Sequence, residues 1–269
     1  MWGVARAHGG EVLLRVEDHD RHRSRKDFEG ALLDDLDWLG FAPDIGRTNE
    51  FRAGELHLRQ SDNRARYEQV LGELGQTGLV YACACSRRDI AEVAGNSFGA
   101  ELPYPGTCRN ANVDGSKNKA RRLRLKTVTE SFHDLRCGLQ LQIPANQCGD
   151  MLIRDRFGQF TYQFGVTIDD FDQNIDVIIR GEDLLASTGR QLQLARMIGR
   201  TRPPQFLHHA LVRRADGLKL SKSLGDTSVR EMRDAGMNAN DVIGRAAFDA
   251  GLISERGPVS QDMLAELFT

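Results

Sequence analysis

The run Lys219-Leu220-Ser221-Lys222-Ser223, entered through Asp216-Gly217, sets two ammonium groups around a serine on a turn-prone stretch. Lysines on a loop that can close are suited to cradle a polyphosphate and to offset the charge that develops on a departing pyrophosphate. A solvated surface loop is the plainer alternative, because lysine and serine are common there. A second cluster is Cys83-x-Cys85 with Cys108, and Tyr104 between them. Three thiolates in one short stretch suit a structural zinc, and a set of free thiols is the alternative. No histidine lies near enough in the sequence to complete four ligands, and a phenolate from Tyr104 is a less usual donor. Cys137 and Cys148 stand alone and read as ordinary, partly buried thiols.

Two further constellations carry charge at the ends of apolar runs. Glu17, Asp18 and Asp20 follow the run over residues 12–16. Open α/β sheets bind ligands at the carboxyl ends of their strands, where an acid captures an ammonium. A charged turn with Asp20 or Ser24 as a helix cap explains the same residues. Arg180 closes the apolar run 177–179 and precedes Gly181-Glu182-Asp183, with Tyr162 upstream. An arginine so placed pairs with a carboxylate, either a ligand's or that of Glu182 or Asp183. The stretch 117–126 is the one dense basic run. It reads as a phosphate contact or, because Leu123 and Leu125 alternate with the charges, as a solvated strand edge.

The elements that must hold these residues follow from periodicity. Residues 4–8 read as a helix stopped by Gly9-Gly10, and 12–16 as a buried strand. Phe28, Ala31, Leu32, Leu36 and Leu39 share one face of a helix over 27–39 that Gly40 ends. Helices are expected over 62–77, 187–198 and 239–250, and strands over 121–126, 140–143, 151–154 and 177–180. Residues 81–109, with three Cys, several Gly and two Pro, read as a small inserted module. Strands alternating with helices predict an α/β fold with a largely parallel sheet.

The balance of 36 Lys+Arg against 38 Asp+Glu excludes a basic coat over the whole chain, though not a local basic face. No apolar run approaches the roughly 18 residues of a membrane span, and the opening residues lack the apolar stretch of a signal peptide. Five cysteines in 269 residues are too few for a crosslinked secreted scaffold, so a cytoplasmic location is expected.

Taken together, these segments resemble the glutamyl-tRNA synthetases, a class I aminoacyl-tRNA synthetase family, over nearly the whole chain. The resemblance rests on residues 14–20 with Arg23 and Ser24, Asp37-Trp38-Leu39-Gly40, Tyr162 with Asp169-Asp170, Arg180-Gly181-Glu182-Asp183-Leu184, and the stretch Lys219 to Ser223. Within the family it is tightest to a short paralogous branch, the glutamyl-Q tRNA(Asp) synthetases. Cys83, Cys85, Tyr104 and Cys108 look like that branch's zinc ligands, and the segment from Arg180 to Gln191 is similar to its strand-to-helix segment.

The resemblance implies an α/β, Rossmann-type nucleotide-binding catalytic domain with a small zinc-binding insertion. Residues 1–80 would form its first part, 81–125 the insertion, and 126–269 the second part with a short helical end. It implies ATP-dependent activation of L-glutamate, with Mg2+, and transfer to queuosine at the wobble position of tRNA(Asp), by a cytoplasmic monomer. Glu17 would meet the glutamate ammonium, and Tyr162 and Arg180 would complete the glutamate site. Lys222, with Lys219, Ser221 and Ser223, would serve ATP and the catalytic step. A fragment of a discriminating glutamyl-tRNA synthetase, or a non-catalytic remnant that binds tRNA or glutamate, are the alternatives. The family's first strand, its Arg-Phe-Ala-Pro-Ser-Pro-Thr-Gly type loop and its signature helix have no counterpart here, since the chain starts at what matches the end of that helix. The chain is therefore expected to form glutamyl-adenylate poorly and to leave the strand over 12–16 with an unpaired edge.

Overall fold

The computed structural model describes residues 1–19, 26–95, 101–115, 118–212 and 228–269. The helices are α1 (Trp2–Ala7), α2 (Lys26–Leu39), α3 (Thr48–Ala53), α4 (Arg64–Gln76), α5 (Arg87–Ala94), α6 (Pro144–Cys148), α7 (Tyr162–Asp172), α8 (Thr188–Met197), α9 (Val229–Asp234) and α10 (Ala239–Asp249). The strands are β1 (Val80–Cys83), β2 (Ala120–Leu123), β3 (Glu130–Asp134), β4 (Gly138–Gln142), β5 (Met151–Arg154), β6 (Val177–Gly181) and β7 (Gln205–His209). The described residues divide into two compact units, 1–59 with 210–269, and 60–209.

The first unit is mainly helical. α1 ends where Gly9 and Gly10 were read as a stop, and Gly9 takes φ +66°. Trp2 stacks on Phe41 and donates its indole N–H to the Ala42 carbonyl. α1 lies so close to the 3-10 stretch Gln261–Phe268 that a Cβ on Gly3 would fall 2.4 Å from the Phe268 ring. α10 starts at Asn238, whose side chain accepts the Asp241 N–H, and buries Val242, Ile243 and Ala247. The predicted face of α2 is corrected: Leu33 is the buried residue, packed with Val16 and Phe51, while Phe28 and Leu32 are exposed. The predicted strand over 12–16 is corrected as well. Its backbone meets two different neighbours at one point each, as isolated parallel bridges from Leu13 to Ile45 and from Val16 to Arg59. Neither contact extends into a ladder.

The second unit holds two sheets. β1, β2 and β5 form an antiparallel sheet with β2 in the middle. The other sheet has the order β4-β3-β7-β6, with β3 and β4 antiparallel and β3, β7 and β6 parallel. The largely parallel sheet expected from the sequence is thus mixed. The basic stretch is not a solvated edge: β2 is central, Leu123 and Leu125 are buried, and Arg122 is buried with them. Its alternation carries leucines into the core cluster and sends arginine heads to polar partners, including the Asp150 carbonyl that accepts from Arg122.

α4 and α7 are joined by a buried carboxylate. Asp169 accepts from Gln60 at 2.9 Å, from Asn63 at 2.9 Å and from the Tyr67 hydroxyl at 2.7 Å. Around it Tyr67, Phe160 and Phe164 pack ring to ring, with Leu123 and Ile153 in the same core. Removing part of a side chain that is fully out of water leaves a cavity as well as lost transfer energy. Ile153→Ala should therefore lower unfolding free energy by about 2–5 kcal/mol in urea titrations. Leu139→Ala on the exposed side of β4 should stay within about 0.5 kcal/mol of the parent.

Candidate functional site

The carboxyl ends of the three parallel strands β3, β7 and β6 bring together a buried polar chain. β6 and β7 pair with Arg180 opposite His208, and β3 ends on Asp134 beside them. Arg180 Nε donates to His208 Nε2 at 3.0 Å, and Arg180 Nη2 donates to Thr188 Oγ1 at 2.9 Å in the first turn of α8. His208 Nδ1 lies 2.6 Å from Asp134 Oδ2. Because Nε2 accepts from Arg180, the imidazole proton resides on Nδ1 and is donated to Asp134. Asp134 also accepts the backbone N–H groups of Arg136, Cys137 and His208.

Burial holds His208 below the ordinary imidazole value, and the nearby Arg180 charge adds to this against the pull of Asp134. Burial works against ionisation of Asp134, yet the Cys137 N–H, His208 and the Arg136 N–H outweigh it and hold the carboxyl below its usual value. At neutral pH the cluster is a carboxylate, a neutral imidazole and a guanidinium.

Of the other residues singled out for glutamate, Tyr162 opens α7 in the same unit as Arg180 and is half-buried. Glu17 belongs to the first unit, where Arg15 Nη2 donates to its Oε1 at 3.2 Å. Lys219, Ser221, Lys222 and Ser223 lie outside the described residues, as do Asp20, Arg23, Ser24 and Lys117. Glu182, one carboxylate considered for Arg180, takes the Arg136 guanidinium at 2.5 Å. Asp134, Thr188 and His208 were not singled out. Their signals were faint: a His-His pair ending a short strand, and an acid at the end of the alternating stretch Glu-Ser-Phe-His-Asp.

The cysteines gather as the spacing suggests. The sulfurs of Cys83, Cys85 and Cys108 all lie within 4.8 Å of one another, with Cys85 and Cys108 at 3.5 Å. The Tyr104 hydroxyl lies 3.5 Å from the Cys83 sulfur and 3.9 Å from that of Cys85, and it accepts the Cys108 N–H at 2.7 Å. Donors at about 2.3 Å from one tetrahedral cation would sit about 3.8 Å apart, so the set fits such an ion. Burial pushes the Cys85 thiol up to about 11. Burial also opposes ionisation of Cys108, but the Ala84 N–H and its neighbours' hydrogen bonds bring that thiol below its usual value. Arg122 stacks 3.7 Å over the Tyr104 ring, placing positive charge beside the donors. Gly149 allows the approach: it takes φ +66°, and a Cβ there would fall 2.1 Å from the Tyr104 carbonyl oxygen. Cys148 is buried and pushed up to about 11 by that burial, and Cys137 is partly buried. A cleft of about 450 Å³ beside the cysteines is lined by Arg109, Arg121, Arg124 and Tyr81.

Residues 1–245 match the family model for the catalytic domain of class I tRNA synthetases (E and Q). A glutamyl-Q tRNA(Asp) synthetase of Nitratidesulfovibrio vulgaris is 36% identical over 96% of this chain and 81% of its own. One of Bordetella bronchiseptica is 40% identical over 83% of this chain and 68% of its own. A glutamate–tRNA ligase of Syntrophus aciditrophicus is 36% identical over 88% of this chain, which spans 50% of that protein. In fold, the chain is similar to a glutamate tRNA ligase of Elizabethkingia meningosepticum solved in complex with its amino acid, with a TM-score of 0.77 at 22% identity. The likeness covers 98% of this chain and 59% of that one.

The buried chain makes stability depend on pH with a definite sign. The folded pKa of His208 lies below its unfolded value of 6.5, so the unfolded state takes up the proton first as pH falls. Its contribution is complete above pH 6.5 and is lost as pH falls through the folded pKa. Asp134 behaves alike below its ordinary value of 3.8. Each pH unit between folded and unfolded pKa is worth about 1.4 kcal/mol. Unfolding free energy should therefore decline below pH 6.5 in the parent and decline less in His208→Gln. Parallel curves for the two between pH 6.5 and 4 would contradict the assignment.

Proposed function

The chain belongs to the class I tRNA synthetases of the E and Q group, and from that premise we propose that it activates L-glutamate with ATP and transfers the glutamyl group to queuosine in tRNA(Asp). The likeness to glutamyl-Q tRNA(Asp) synthetases, extended along most of both chains, carries the reading. Activation joins the glutamate carboxylate to the α-phosphate of ATP and releases pyrophosphate; transfer to the base then releases AMP. On this reading the catalytic domain is of the Rossmann type and is divided as 1–80, 81–125 and 126–269. It works as a cytoplasmic monomer. Among the described residues no helix is long and apolar enough to cross a membrane.

Arg180 takes a carboxylate of the substrate in this proposal, Tyr162 lines the same site, and Glu17 meets the ammonium. A buried guanidinium held in one orientation by Thr188 and His208 supports the first assignment, because a fixed fork recognises a planar carboxylate. Lys219, Ser221, Lys222 and Ser223 would hold ATP, with Mg2+ on its phosphates; Lys222 would balance the charge that builds on pyrophosphate. The cleft of Arg109, Arg121 and Arg124 offers positive charge to RNA phosphates.

Cys83, Cys85, Tyr104 and Cys108 would hold a structural zinc. Four protein donors fill a tetrahedral shell and leave no position for a reactive water, so the ion would fix the module rather than act on substrate. The gathering of this set, which resembles that of the glutamyl-Q branch, also supports that branch over ordinary charging of a tRNA 3′ end.

Two measurements test these proposals. Nucleoside mass spectrometry of tRNA(Asp) should show glutamylated queuosine in cells carrying the gene and unmodified queuosine in its absence. Unchanged queuosine with glutamate charged to a tRNA 3′ end would instead identify a glutamate–tRNA ligase. Elemental analysis of protein purified without chelator should find one zinc per chain, lost on Cys83→Ser. Metal-free protein of unaltered stability would remove the zinc assignment.

A further inference from the structure

The ends of β3, β7 and β6 and the first turn of α8 bring together four side chains, of which Arg180 alone is assigned a contact with substrate. Asp134, Thr188 and His208 are each 0% exposed, and Arg180 is 9% exposed. We propose that Asp134 and His208 are positioning residues for Arg180: the Asp134 carboxylate, acting through a neutral imidazole protonated on Nδ1, aims the guanidinium that receives the substrate carboxylate. This inference rests on the assignment of Arg180 made above.

The geometry defines the direction of the hydrogen bonds made to Asp134 and by Arg180. Asp134 Oδ1 accepts the N–H groups of Arg136 at 3.0 Å and Cys137 at 2.8 Å, which hold the carboxylate in its plane. Oδ2 faces the His208 N–H at 3.1 Å and the His208 ring Nδ1 at 2.6 Å. An acceptor that charged keeps the ring proton on Nδ1 and leaves the Nε2 lone pair toward Arg180 Nε. Thr188 Oγ1 accepts from Arg180 Nη2 and lies 3.3 Å from His208 Nε2. The guanidinium is thus held at two of its nitrogens.

The chemistry of His208 and Thr188 matters as much as their placement. Both are neutral, so they orient the cation without themselves adding negative charge. A glutamate in the place of His208, long enough to reach the Nε2 position, would also hold Arg180 but would compete with the substrate for it. Placing the acid one imidazole away keeps its ordering effect and removes most of that competition. Phe206, whose ring centroid lies 5.5 Å from the guanidinium carbon, adds a face that also carries no net charge.

Isosteric variants separate aiming from mere packing. In His208→Gln the amide oxygen can take the position of Nε2 and still accept from Arg180. In His208→Asn the shorter amide can still meet Asp134 but cannot reach Arg180. In Asp134→Asn the two backbone N–H groups keep the amide oxygen at the Oδ1 position, so its NH2 faces Nδ1. The ring proton must then move to Nε2, which turns the acceptor for Arg180 into a donor.

The experiment is calorimetric titration of glutamate into the chain and its variants, each first shown to melt cooperatively. ATP affinity is measured as the control. Arg180→Ala should weaken glutamate about 30-fold or more. His208→Asn and Asp134→Asn should weaken it about 10-fold or more, and His208→Gln by no more than about threefold. ATP affinity should be unchanged in all four. Nitrogen-15 NMR of the ring should show the proton on Nδ1 in the parent and on Nε2 in Asp134→Asn. If Arg180→Ala weakens glutamate while His208→Asn and Asp134→Asn bind as the parent does, the aiming role is overturned alone. Equal losses in His208→Asn and His208→Gln would overturn it too, since only one of them keeps the acceptor. Full glutamate affinity in Arg180→Ala would overturn the carboxylate assignment and the aiming role together.

Discussion

A carboxylate removed from water must have its lone pairs met, and Asp134 satisfies that demand with donors drawn from two places in the chain. The turn after β3 supplies the Arg136 and Cys137 N–H groups, and β7 supplies the backbone and ring of His208. β3 and β7 share a short parallel contact, Asp134 opposite Phe206, reinforced by the Leu135 N–H to the Phe206 carbonyl. The carboxylate therefore joins two strands where the ladder alone is brief. The register of β7 on β6 then sets His208 opposite Arg180. Strand pairing, turn and side-chain orientation all depend on this one buried charge.

The cysteine module is organised by a second acid in a similar way. Asp150 accepts from the Tyr81 hydroxyl at 2.7 Å and the Leu125 N–H at 3.0 Å, and it pairs with Arg109 at 3.0 Å. These contacts tie β1, the segment after β2 and the loop that carries Cys108 to the start of β5. The module's own apolar core is small: Cys83, Tyr104, Cys108 and Ala120 are its buried members. Polar ties and the gathered donors supply much of what an apolar core supplies elsewhere.

Much of this was legible in the chain. The helices expected over 62–77, 187–198 and 239–250 and the strand over 151–154 are found at 64–76, 188–197, 239–249 and 151–154. The cysteine spacing anticipated the cluster because its three thiols lie within 26 residues in a stretch of distinct texture. The polar chain behind Arg180 was not legible. Its members come from β3, β6, α8 and β7, and only the sheet order, which is nonlocal, makes them neighbours. The run 12–16 misled in the opposite sense. Its apolar pattern is that of a strand, but its backbone partners, Ile45 and Leu58, come from different loops. The arginines of β2 suggested a surface because side-chain charge hides how far an arginine's stem can reach through a core.

The sulfurs of Cys85 and Cys108 rest 3.5 Å apart. A disulfide would need the sulfurs at about 2.05 Å, two electrons taken by an added oxidant such as dioxygen, and the loss of both thiol protons. Closing that bond would take two soft donors from the cluster at once and leave Cys83 and Tyr104 with half a coordination shell. For the proposed zinc site, the redox history of a preparation and its metal content would then be a single variable. Protein handled in air and protein handled under reductant would then differ in the module whose described apolar core has four buried members.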